Sequence, residues 1–136
     1  MASAAVMSAV KARLDAFWTR TPIFYPNEGA EPPQDGNPFL AVQYPIAGEH
    51  TASMGAPGAN VQRETGTIRF VLQIRSGADV IAFAAWLDEL RAHFRHEDFG
   101  PVRTFSASPA VADDRNRNGS YFALSAAVEF EADFLG

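Results

Sequence analysis

The chain has 136 residues with 47% apolar, 20% charged and no cysteine residues, a composition that builds one hydrophobic core and excludes disorder, disulfides and thiolate chemistry. Eleven basic against sixteen acidic residues leave a net charge of −5, which argues against a general nucleic-acid binder or a polybasic membrane-surface protein. No apolar run approaches the roughly 18–20 residues needed to cross a bilayer, and no basic n-region precedes the first apolar stretch as it would in a secretory signal.

Residues 3–19 read as an amphipathic helix. Val6, Val10, Leu14 and Phe17 recur at spacings of four, four and three, Ser3 is a suitable N-cap, and Pro22 ends the run. Residues 20–37 are too densely punctuated by Pro22, Pro26, Gly29, Pro32, Pro33 and Gly36 for a regular element. A short strand follows from Phe39 to Tyr44, stopped by Pro45. Residues 45–64 read as a second long irregular stretch, with short hairpin arms at its two ends.

Thr65 to Arg75 carries the clearest strand pattern. Ile68, Phe70, Leu72 and Ile74 alternate with Arg69, Val71, Gln73 and Arg75, giving one apolar face and one wet or contact face. Residues 78–95 form the strongest helix, with Val80, Phe83, Ala84, Leu87, Leu90 and Phe94 in one stripe. A strand at 102–108, a polar turn at 113–119 ending in Asn118-Gly119, and a last alternating strand over 120–130 complete the chain. Helix, strand, strand, helix, strand, strand predicts an α+β two-layer sandwich in one domain, 1–136. It has an antiparallel or mixed four-stranded sheet, two helices on one face, and long loops after the first helix and the first strand.

Catalytic patterns are hard to find. His93 and His96 are spaced three apart among acidic residues, but a zinc-protease helix needs histidines four apart with a glutamate beside the first. Asp113 and Asp114 sit in a turn-forming context that favours aspartate for backbone hydrogen bonding. The stretch Gly55 to Asn60 is glycine-rich but lacks the lysine ending of a phosphate loop. No catalytic, cofactor-binding or metal-ligating set is assigned, and no cofactor is expected. Arg63, Arg69, Arg115 and Arg117 lie on or beside the long loop, the wet strand face and the hairpin turn. They suit either a subunit contact or ordinary surface charge. Two long loops of mixed Gly, Pro and aromatic content favour an interaction protein over an enzyme.

Particular segments carry a resemblance. The first helix ends in Phe17-Trp18-Thr19-Arg20-Thr21-Pro22-Ile23, followed by Tyr25-Pro26-Asn27-Glu28-Gly29 and Pro38-Phe39-Leu40-Ala41-Val42. Arg63-Glu64-Thr65-Gly66-Thr67-Ile68 enters the strong strand, Phe94 lies near the end of the second helix, and Gly119-Ser120-Tyr121-Phe122 opens a strand ending in Glu129-Phe130. In this order the chain resembles the tail-terminator (tail-completion) proteins of long-tailed bacteriophages and phage-derived gene transfer agents. The resemblance implies a structural virion protein at the head–tail junction. It would form a hexameric ring on the head-proximal end of the tail tube, stop tube polymerisation and meet the head-side connector. DNA would pass through without being held, and the net negative charge agrees with that.

On this reading Arg63, Glu64 and Arg69 are candidates for ring and tube contacts, and Arg115 and Arg117 for a second axial or lumenal contact. The alternatives are a head–tail stopper or adaptor and, from another class, a small cytoplasmic enzyme or ligand-binding domain using the helix–sheet cleft.

Overall fold

The computed structural model describes residues 2–27, 36–112 and 121–136. Helix α1 spans Ala4–Phe17 and helix α2 spans Val80–Phe94. The strands are β1 Ile23–Phe24, β2 Phe39–Thr51, β3 Val61–Arg75, β4 Asp98–Phe99, β5 Val102–Ala107, β6 Val111–Ala112 and β7 Tyr121–Leu135. They form one mixed sheet in the order β1-β2-β3-β7-β5-β4, with β6 on β7. The sheet curls into a half-barrel.

This corrects the expected four-stranded two-layer sandwich. Three of the seven strands are two-residue pieces, too short to leave a period-two signature in sequence. The larger departure is at 45–64. In place of a long irregular loop, β2 continues through Pro45 and pairs with β3 from Ile46↔Thr67 out to Thr51↔Gln62. Pro45 is tolerated because it sits where the register shifts, between Gln43 and Ile46, and a bulge needs no ladder donor there. Beyond it, residues 45–51 are exposed throughout, so no helix-facing side exists to impose alternation. The last strand also runs on to Leu135, and it pairs with all fifteen residues of β3 without a break. Residues 46–51, 61–66 and 130–135 together make a three-stranded arm.

Both helices lie on one side of the sheet. Val6, Val10 and Leu14 of α1 and Leu87, Leu90 and Phe94 of α2 are fully buried against Leu40, Val42, Ile68, Phe70, Leu72 and Val128. Burial of each such side chain contributes roughly 1.5–3 kcal/mol. Phe70 and Phe94 join sheet to helix with ring centroids 5.0 Å apart, and Trp18 meets Trp86 edge-on at 6.3 Å.

The helix ends are tied to strands far away in sequence. At α1, the Ser3 hydroxyl accepts from the Val6 amide, and the Ser3 N–H donates to Glu64 Oε2 at 2.9 Å. A buried carboxylate therefore sits against the positive end of the helix. At α2, buried Thr104 on β5 donates to the Phe94 carbonyl and accepts from the Glu97 amide at 2.9 Å, closing the last turn.

Candidate functional site

The cross-strand register sorts the side chains of the sheet onto two faces. The even-numbered positions of β3 and β7 meet the helices. The odd-numbered positions face the other way, and no described helix covers them. One end of this open face carries a small apolar cluster, where Phe39 meets Phe24 and Tyr121 and the Tyr121 hydroxyl donates to the Asn37 carbonyl at 3.0 Å. The rest of the face is largely polar and extends onto the arm.

The register places Arg63 opposite Asp133 and Arg103 opposite Glu131, so four charges alternate across β3, β7 and β5. Arg63 holds Asp133 with both oxygens, Nε to Oδ1 at 2.8 Å and Nη2 to Oδ2 at 3.1 Å. Arg103 Nη2 reaches Glu131 Oε1 at 2.5 Å and Asp133 Oδ2 at 3.0 Å. Two guanidinium groups and two carboxylates cancel locally. Screening by water keeps their contribution to global stability small, but the bidentate geometry fixes where the side chains point.

The hydrogen bonds from Arg63, then Arg103, hold the Asp133 carboxyl down at about 2, below its ordinary 3.8. A depressed folded value means the network is intact above the unfolded value and is lost as pH falls through the folded one. The Asp133 carboxyl carbon, followed by NMR, should therefore titrate near pH 2, and Arg63→Gln should return it toward 3.8. A midpoint near 3.8 in the unaltered chain would contradict the pairing.

Arg69 differs from these two arginines. It stands opposite Gln43 and Ala127. Its contacts are to neutral groups, Gln43 Oε1 at 3.3 Å and Ser125 Oγ at 3.5 Å, and among the described residues it joins no ion pair. Among the described residues no carboxylate compensates its charge. Beside it on the face, Ile46, Phe105, Thr65, Thr67, Glu129 and Glu131 line a shallow depression of about 390 Å³. Ile46 is 64% exposed there and Phe105 39%.

The structure separates the residues singled out in the sequence. Arg63 and Arg69 share the open face. Glu64, with its side chain on the helix side, is buried and anchors α1. Arg115 and Arg117 lie outside the described residues. Arg103, Glu131 and Asp133 were not singled out. The alternation Glu129, Glu131, Asp133 was the available signal, but it falls at and beyond the point where the last strand was expected to stop.

His93 is engaged in packing. Its ring stacks on Phe17 with centroids 4.0 Å apart and planes 6° from parallel, and its carbonyl accepts from Arg13 Nη2 at 2.7 Å. Burial, then the Arg13 charge, push its pKa below the ordinary 6.5, against a smaller opposing pull from Glu97. Tyr44 is buried under α1, and the loss of solvation raises its phenol to about 12. Among the described residues no group of three or more His, Asp or Glu side chains is placed to hold a metal ion. No described helix is long and apolar enough to cross a membrane.

Among the described residues no helix covers this charge-ordered sheet face, which continues onto the three-stranded arm. Comparison with known proteins bears on what it contacts. A family model described as phage tail terminator protein matches residues 5–126. No curated protein matches the chain. One solved structure superposes with a TM-score of 0.68 at 17% identity, over 98% of this chain and 97% of the other, a likeness that shows the fold alone.

Proposed function

The chain belongs to the phage tail terminator family, and from that premise we propose that copies of it close into a hexameric ring on the head-proximal end of the tail tube. Its role is that of a structural protein of the phage tail, and its partners are tail and head components. The ring stops addition of tube protein and offers its other side to the head connector, while DNA passes through the centre. The action is steric: one side of the ring copies the docking surface of a tube ring, and the other lacks what a further tube subunit needs.

The observation that carries this reading is the family match over most of the chain. The structure supports it with the uncovered sheet face and the arm, whose tip carries Met54 at 92% exposure. We assign Arg63 and Arg69 to the surface that meets ring neighbours or tube, Arg63 by ordering the arm and Arg69 by direct contact. Glu64 supports the same surface from behind by holding α1 to β3. Arg115 and Arg117 remain assigned to a second axial or lumenal contact. In the ring, the net negative charge opposes retention of phosphates, and Arg63 and Arg103 are neutralised by Asp133 and Glu131.

Adding the purified chain to polymerising tube protein tests the proposal. Tubes should stop growing, with one end blocked and bearing a ring of hexamer mass. Tubes that lengthen at an unchanged rate, with the chain unbound, would refute it.

A further inference from the structure

Two uncovered surfaces of the helical layer complement each other. The first is a groove of about 530 Å³ between α1 and the end of α2, walled by Ala12, Ala16, Phe17 and Phe99 with Arg13 and His93 beside them. Phe17 stays 36% exposed there despite its stack on His93. Arg13 lies over the Phe94 and Phe99 rings at 5.6 and 5.1 Å and is ion-paired with Glu97 Oε2 at 3.9 Å, a carboxylate that stays about half exposed. Arg95 follows at the end of α2, exposed and in no ion pair among the described residues. The groove is apolar, with Arg13 beside it and Arg95 close by at the end of α2.

The second surface is the start of α2. Val80 and Ile81 are 42% and 82% exposed, Ala82 and Ala85 are exposed with them, and no charged side chain interrupts 80–85. Asp79 caps this turn, accepting from the Ile81 amide at 3.0 Å, and its carboxylate joins no ion pair among the described residues. An apolar knob with an anionic cap is the counterpart of an apolar groove that has arginines at one end. At 1.5 Å per residue, Ile81 stands about 18 Å along α2 from His93, so a chain cannot fill its own groove.

We propose that the groove of one copy receives the first turn of α2 from the next copy, with Ile81 between Ala12 and Phe17 and Asp79 facing Arg13. The two surfaces are different, so the contact is head-to-tail, the type that generates a closed ring. The inference rests on the ring reading above and names the contact that builds the ring.

The chain has no cysteine, so two introduced thiols are the only pair available. Ala12→Cys and Ile81→Cys both fall at exposed positions. With tube protein present and a mild oxidant, the double variant should give a covalent ladder ending at the ring size. An equimolar mixture of the two single variants should give dimers, and each single variant alone should give none. Ile81→Asp should keep the melting temperature of the isolated chain and lower the ring fraction by at least tenfold. Rings of full mass without cross-links, dimers from Ile81→Cys alone, or rings undiminished in Ile81→Asp would each overturn this contact and leave the ring reading standing. A chain that remains monomeric while tubes grow uncapped would remove both.

Discussion

Replacing Gly66 with alanine is expected to lower stability by roughly 1–3 kcal/mol, the usual cost of forcing a group into filled space. A Cβ on Gly66 would lie 2.3 Å from the Ile46 carbonyl oxygen and 2.9 Å from Cε1 of the Phe130 ring. Neither neighbour yields easily. The first is backbone, held by the β2–β3 ladder just past the Pro45 bulge, and the second is a core ring only 2% exposed. Either the bulge opens and the arm loses its register, or Phe130 leaves its place against the helices. In a chain of this size each kcal/mol corresponds to about 3–5 °C in melting temperature, so the loss is measurable by thermal or urea unfolding. Gly48→Ala is the control, because a Cβ there meets nothing within 4 Å. It lies on the same arm and should stay within about 0.5 kcal/mol of the unaltered chain, as surface substitutions do. Equal melting of the two variants would show that close packing at Gly66 does not set the stability of the arm.

Gly66 also shows what a sequence exposes and what it hides. Its place in Arg63-Glu64-Thr65-Gly66 helped to suggest the family, yet nothing local reveals that a carbonyl from β2 occupies the space of its side chain. The helices were readable because burial writes itself into spacing: Val6, Val10 and Leu14, then Leu87, Leu90 and Phe94, face one core. The middle of β3 was readable for the same reason. The outer half of β2 was not. Ile46-Ala47-Gly48-Glu49-His50-Thr51 is wet on both faces, so its strand character comes from pairing with β3 and not from any pattern of its own. Glu64 misled in the opposite sense. A charged residue before a strong strand reads as surface, and its burial against Ser3 depends on a contact 61 residues away. The open-face network needed the register itself. Only the pairing of Val61 with Leu135 brings Arg63 to Asp133, and only β5 on the far side of β7 brings Arg103 to both acids.

Charge reversal at Arg69 is expected to reduce tube capping by at least tenfold while leaving the isolated chain folded and as stable as before. Arg69 differs from Arg63 in what its reversal does to the rest of the chain. Arg63→Glu would place a third carboxylate beside Asp133 and Glu131, with Arg103 as the remaining cation of the network, so the arm would lose order whether or not Arg63 itself touches a partner. A capping defect in that variant has two causes that assembly measurements alone do not separate. Among the described residues Arg69 has only the neutral partners Gln43 and Ser125, and removing its charge leaves none of their carboxylates without a counter-ion. Its reversal therefore reports on what the charge meets outside the chain. A rim charge acts mainly through the rate of encounter and through salt dependence, so the defect in Arg69→Glu should be largest at low ionic strength. Capping rates measured across a salt series provide the test. Normal capping by Arg69→Glu at every salt concentration would remove Arg69 from the docking surface.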